Sequence, residues 1–133
     1  MSHLKLNKAL AITLFPTIFT SFSHAGNFGV TTNNENDAGS LSEAIIQANV
    51  DPDLNGTFIN FTNTVNGPIN LSANMPEIRR DLTINFAGAP VGAVTINGNN
   101  QYYPIRFGNN LGNPPAVCLD TGAHQVNLNP GFW

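Results

Sequence analysis

From Ile59 onward, apolar residues fall on every second position in short runs. Ile59 and Phe61 flank Asn60; Ile69 and Leu71 flank Asn70; Leu82, Ile84 and Phe86 enclose Thr83 and Asn85; Val94 and Ile96 flank Thr95. A period of two puts the apolar set on one face of an extended chain, so each run predicts a half-buried strand. Turn chemistry bounds the runs: Asn55-Gly56, Asn66-Gly67-Pro68, Gly88-Ala89-Pro90 and Asn97-Gly98. Strand centres recur roughly every 10 to 13 residues. That spacing suits either an antiparallel sandwich or the successive faces of a solenoid coil.

The Asn-Gly pairs by themselves favour tight hairpins and the sandwich. Two features favour the solenoid. Asn60, Asn70, Asn85 and Asn97 stand inside or at the ends of strands, where asparagine is ordinarily depleted. In stacked coils their amides can ladder, each bonding to the one above. The second feature is a single helix ahead of the strands, suited to covering an otherwise open solenoid end. Gly26–Thr32 is β-prone and the segment from Asn33 to Gly39 is polar and loop-like. Ser40 followed by Glu43 is then a capping box, in which each side chain satisfies an orphan backbone N–H. Leu41, Ala44, Ile45 and Ala48 follow at helical spacing, and Val50-Asp51-Pro52 stops the helix. Ile46 lies off that stripe, which predicts a helix buried on more than a narrow face.

Composition agrees. Of 133 residues 10% are charged and 41% hydrophobic, too few charges for a helical bundle and too many apolar residues for a disordered chain. Lys5 and Lys8 are the only lysines, both near the start. From residue 26 onward Arg79, Arg80 and Arg106 stand against eight acidic residues, a formal charge of −5. That balance disfavours nucleic acid and anionic lipid as partners. Cys118 is the single cysteine, so no intramolecular disulfide is expected.

Residues 1–25 read as a cleavable secretory signal peptide. Lys5 and Lys8 form the basic region, Ala9–Phe19 the apolar region, and Ser23-His24-Ala25 places small residues at the −3 and −1 positions. Cleavage is expected between Ala25 and Gly26. The apolar stretch falls well short of the roughly 20 residues a spanning helix needs, so no transmembrane span is expected in the mature chain. The Sec export machinery and signal peptidase are the expected partners, and the periplasm, the outer-membrane cell surface or the extracellular medium the expected location.

Val30-Thr31-Thr32, Gly39-Ser40-Leu41-Ser42-Glu43-Ala44-Ile45 with Ala48-Asn49, Ile59-Asn60-Phe61, Leu82-Thr83-Ile84 and Ile96-Asn97-Gly98 form an ordered series. It resembles the N-terminal cap and first coils of bacterial surface proteins with a right-handed parallel β-helix, such as autotransporter passengers and polymorphic outer-membrane proteins. The usual cap motif reads G-S-L-R-E-A-I, with Ser42 here where Arg is common. The resemblance implies an all-β fold: an N-terminal fragment of a pectin-lyase-like parallel β-helix with one amphipathic capping helix. It divides the chain into a leader at 1–25, a cap strand and capping helix at 26–56, first coils at 57–107 and an aperiodic, disordered tail at 108–133. Such passengers continue for many coils and end in a membrane barrel. After Phe107 the clustered prolines and the lost period suggest instead a truncated or frameshifted product.

Several groups were weighed for chemistry. Asp51, Asp53 and Asn55 with Gly56 match the first half of an EF-hand loop, but Thr62 stands where the bidentate Glu is required, so a polar turn is expected. Glu77, Arg79, Arg80 and Asp81 form the densest charge cluster, expected to be a solvated turn. Glu35 with Asp37 is too loop-bound for a glycosidase pair. His124 and Cys118 have no nearby base or nucleophile in sequence. There is no phosphate-cradling glycine motif and no Cys/His metal pair, so no cofactor, metal or catalytic residue is expected. The resemblance implies a non-enzymatic exported surface or secreted protein of the adhesin or passenger kind with a host or cell-surface ligand. The competing readings are a remnant of a β-helix polysaccharide lyase or glycosidase, and a non-functional truncated product.

Overall fold

The computed structural model describes residues 26–52, 56–90, 93–108, 115–122 and 125–129. The leader with Ala25, Asp53–Asn55 of the acidic loop, His124 and the terminal Phe132-Trp133 lie outside the described residues.

Among the described residues the regular elements are nine strands and one helix. The elements are β1 (Gly26–Val30), α1 (Leu41–Val50), β2 (Thr57–Phe61), β3 (Ile69–Asn70), β4 (Glu77–Ile78), β5 (Leu82–Asn85), β6 (Ala93–Asn97), β7 (Arg106–Phe107), β8 (Val117–Asp120) and β9 (Gln125–Asn129). They form three sheets with strand orders β1-β2-β5-β8, β3-β6-β9 and β4-β7. All of the pairings are parallel. From β2 the chain visits the three sheets in rotation: first, second, third, then first again. Among the described residues, Asn66-Gly67 and Asn97-Gly98 therefore make no hairpin. After Asn97-Gly98 the chain instead turns through Asn99 and Asn100, both left-handed at φ 53° and 58°, a region asparagine tolerates better than most residues.

Register follows residue chemistry. Ile59 pairs with Ile84, which pairs with Leu119; Ile69 pairs with Ile96, which pairs with Leu128. Like apolar residues thus stack in columns inside, and Phe61 and Phe86 stack with ring centroids 4.6 Å apart. Outside the core the asparagines ladder. Asn85 Nδ2 donates to Asn60 Oδ1 at 3.3 Å, Asn60 Nδ2 to Asn27 Oδ1 at 3.3 Å, and Asn97 Nδ2 to Asn70 Oδ1 at 3.1 Å. Each bond satisfies amide groups that a strand position would otherwise leave to water.

The helix starts at its capping box. Ser40 Oγ accepts from Glu43 N at 3.1 Å, and Glu43 Oε2 accepts from Gly39 N at 2.5 Å. Gly39 is required there: its φ is +81°, and a Cβ would run into Thr31 Oγ1. Leu41, Ala44, Ile45 and Ala48 are buried against β1, β2 and β4. The expectation for Ile46 is corrected, since it is 52% exposed; the buried stripe is narrow because α1 lies over one end of the stack and touches it along one line.

The tail is corrected as well. Within residues 108–133 the described segments do not lack a period: β8 extends the first sheet and β9 the second, while 109–114, 123–124 and 130–133 lie outside the described residues. Val117 with Leu119 and Val126 with Leu128 are the alternating pairs, hidden in sequence by a longer return. Successive strands of the first sheet are 25 residues apart from Ile59 to Ile84 but 35 from Ile84 to Leu119. Among the described residues no helix is long and apolar enough to cross a membrane.

Candidate functional site

The segment between β1 and β2 joins the first circuit through side chains. Strand β1 lies in the first sheet, but among the described residues no strand precedes β3 or β4 in theirs. Side chains fill those places. Asn33 Nδ2 donates to the carbonyls of Asn66 and Pro68, at 3.3 and 3.5 Å, just ahead of β3. The Glu35 carboxylate accepts from Ser72 N, Ser72 Oγ and Ala73 N at 2.8, 2.5 and 2.9 Å, just after it. Asn49, near the end of α1, donates from Nδ2 to Glu77 O at 2.7 Å and accepts at Oδ1 from Arg79 N at 2.9 Å. That amide reproduces the donor and acceptor of a neighbouring strand and blunts the edge of β4.

Glu35 and Asp37 are each engaged in separate hydrogen bonds. Partial burial alone would raise the Glu35 carboxyl, but the hydrogen bonds from Ser72 and Ala73 outweigh it and hold the group below its ordinary value of 4.5. Asp37 accepts from Asn34 Nδ2 at 2.5 Å through its side chain and from Ser40 N at 3.0 Å through its carbonyl. Both carboxylates shape the approach to α1.

The charge cluster after β4 is more than a solvated turn, because circuit geometry brings Arg106 to it. Glu77 and Arg106 are register partners in β4 and β7. Arg106 Nη2 reaches Glu77 Oε1 at 2.9 Å, while Arg79 Nη2 lies 3.5 Å from Oε2. Arg80 turns the other way and donates from Nη1 to the carbonyls of Ala48, at 3.1 Å, and Asp51. A guanidinium at the end of α1 meets orphan carbonyls and the negative end of the helix dipole. Asp81 Oδ1 accepts from Ala116 N at 2.7 Å, tying the entrance of β8 to the previous circuit. Thus Arg79 and Arg106 converge on Glu77 beside a cleft of about 480 Å³ lined by Ile46, Asn49, Val50, Pro76, Glu77, Arg79 and Arg106. Arg106, Asn33 and Asn49 carry no site role in the sequence reading; the usable signal is the 29-residue separation of Glu77 and Arg106, one circuit of the chain.

Among the described residues the other candidates do not converge; Asp53, Asn55 and His124 lie outside the described residues. Cys118 is exposed on β8 opposite Thr83. Of the acidic loop, Asp51 is the C-cap of α1 and its Oδ2 is buried. Among the described residues no three His, Cys, Asp or Glu side chains cluster as metal ligands. No protein-family model matches the chain, and neither the curated proteins nor the solved structures contain a match to it.

Proposed function

We propose that this chain is the capped N-terminal end of a right-handed parallel β-helix, exported from a bacterial cell and serving as a non-enzymatic surface or secreted scaffold of the adhesin or passenger kind. The observation that carries the reading is the rotation of the chain through three parallel sheets with in-register columns, Ile59 over Ile84 and Asn60 over Asn85. A coil of this kind turns each circuit outward as a stiff ribbed surface, which suits display. The polar side chains with short hydrogen bonds, Glu35 and Asn49 among them, are engaged in holding one circuit to the next, which leaves them to structure and not to acid–base work.

Export is the second half of the reading. It rests on the basic, apolar and small-residue series of residues 1–25. The test is expression of the whole chain in a Sec-competent bacterium, followed by fractionation, N-terminal sequencing and protease treatment of intact cells. The expected product begins at Gly26 and lies outside the cytoplasm. Cytoplasmic product retaining Met1 overturns the proposal.

A further inference from the structure

We propose that Asp51 and Gly56 form a seat for the chain's own new N-terminus, occupied by the Gly26 α-ammonium once the leader is removed. The inference rests on the cleavage reading above. Hydrolysis of the Ala25–Gly26 bond puts the water's hydroxyl on the Ala25 carbonyl carbon and its proton on the Gly26 nitrogen. The amine then takes a second proton from solvent and is a cation at neutral pH.

Three observations converge on residue 26. The first is position: Gly26 opens β1, and its N–H donates to the Gly56 carbonyl at 3.1 Å, so the nitrogen is already inside the fold's hydrogen bonding. The second is close approach. A Cβ on residue 26 would overlap Asp51 Oδ2 and stand 2.9 Å from Asp51 Cγ. The carboxylate therefore lies directly against the Gly26 Cα, the atom bonded to the new amine, and a larger residue at 26 would have to push it aside. The third is electrostatic. Asp51 caps the C-terminal end of α1, where exposed carbonyls favour cations, and its Oδ2 is buried. Arg80 already serves that end from one side through the Ala48 and Asp51 carbonyls.

An amide nitrogen carries one hydrogen and spends it on Gly56. An ammonium carries three, so it keeps that bond and adds a charge-assisted one to the adjacent Asp51 carboxylate. Processing would thereby fasten β1 to the end of α1, joining the first strand to the element that covers the stack. It also gives a reason for glycine after the cleavage site that is independent of the protease.

The sequence supplies a clean readout. Residues 26–133 contain no lysine, so the α-amine is the single primary amine of the processed chain. Exported, processed protein is treated with an amine acylating reagent, natively and in denaturant, and the product is quantified by mass spectrometry. The expected native rate is about tenfold or more below the denatured rate, the effect of one hydrogen bond to a charged group. Asp51→Asn should erase most of that protection, and so should Gly26→Ala, which pushes the carboxylate away. Far-UV circular dichroism on each variant keeps loss of fold apart from loss of the seat. Equal native and denatured rates in folded protein, or full protection retained in folded Asp51→Asn, overturn the proposal. N-terminal sequencing separates the two readings. If export yields another start, the cleavage reading fails, and the seat is measured on full chain cut before Gly26 by a site-specific protease placed there. Absence of protection in that protein sinks the seat by itself.

Discussion

The two ends of the stack are built differently. At the N-terminal end α1 lies over β1, β2 and β4, and Asn33, Glu35 and Asn49 bond backbone groups of the first circuit. At the other end, among the described residues, β7, β8 and β9 each pair on one side only. Phe107 is in register with fully buried Ile78 yet is 57% exposed, and Leu119, over fully buried Ile84, is 37% exposed. Apolar columns that begin under a helix end in the open. A helix supplies the apolar cover, but the N–H and C=O groups of the first edge are met by side-chain amides and carboxylates. Terminating parallel strands takes both.

The sharpest way to break this comparison is inside the helix. Ile45, 1% exposed, and Val50, 77% exposed, lie five residues apart on α1. Ile45→Asp buries a carboxylate among Leu41, Ala44 and the strands and should cost at least about 3 kcal/mol. Val50→Asp should stay within about 0.5 kcal/mol, and Ser40→Ala, which loses the cap, should cost about 1 kcal/mol. Thermal and denaturant melts followed by circular dichroism rank the three. Equal effects at 45 and 50 would mean that α1 covers nothing.

Asn49→Ala tests the polar half of the same end. It strips a donor from Glu77 O and an acceptor from Arg79 N and should cost about 1–3 kcal/mol, the penalty for partly buried groups left unmet. Hydrogen exchange localises it: the Arg79 amide should exchange faster, while Tyr103, whose amide donates to Asn74 Oδ1 in the next circuit, should not change.

Glu35 sharpens the comparison through pH. Its carboxyl is held below 4.5 in the folded chain by Ser72 and Ala73. A lowered folded value means the contribution is complete above the unfolded pKa and is lost as pH falls through the folded one. The melting difference between the native chain and Glu35→Gln should therefore be present at neutral pH and fade below about pH 4. It should be smaller than that of Asn49→Ala, because the carboxylate is half-exposed and solvent screens it. A difference that grows in acid would show that Glu35 does not clamp the loop after β3.

How much of this was legible depends on the range of the interaction. The start of α1 can be read because Ser40 and Glu43 stand three residues apart, and β2, β5 and β6 because a run of four or five residues displays its period. Strands β4 and β7 are two residues long, too short for any period to register. Strands β8 and β9 do alternate, but the lengthened return placed them where the earlier spacing did not look. The contacts of the capped end are the least legible. Asn49 and Glu35 meet partners 28 and 38 residues away, and nothing local distinguishes these residues from the many asparagines and loop acids around them. Only the fold's circuit length, here 25 to 29 residues between the first full circuits, would have linked them.

The open end carries the smallest expected change in stability and the clearest one in association. Phe107 and Leu119 are already partly in water, so Phe107→Lys with Leu119→Lys should alter melting by only about 0.5 kcal/mol per site. Their exposure beside the outer edges of β7 and β8 makes this face a template for another chain, since parallel edge strands offer unpaired backbone groups next to apolar surface. The processed chain should therefore self-associate, and lysines at 107 and 119 should disperse it, because charge on an edge opposes pairing. Ile46→Lys is the matched control: Ile46 is 52% exposed, a similar apolar side chain at the capped end, where helix and side chains meet the edge. Sedimentation velocity across a concentration series compares the three proteins. Dispersal by Phe107→Lys with Leu119→Lys but not by Ile46→Lys means that the difference between the ends governs association. Equal dispersal by both would place the sticky surface elsewhere and remove the functional meaning of the cap.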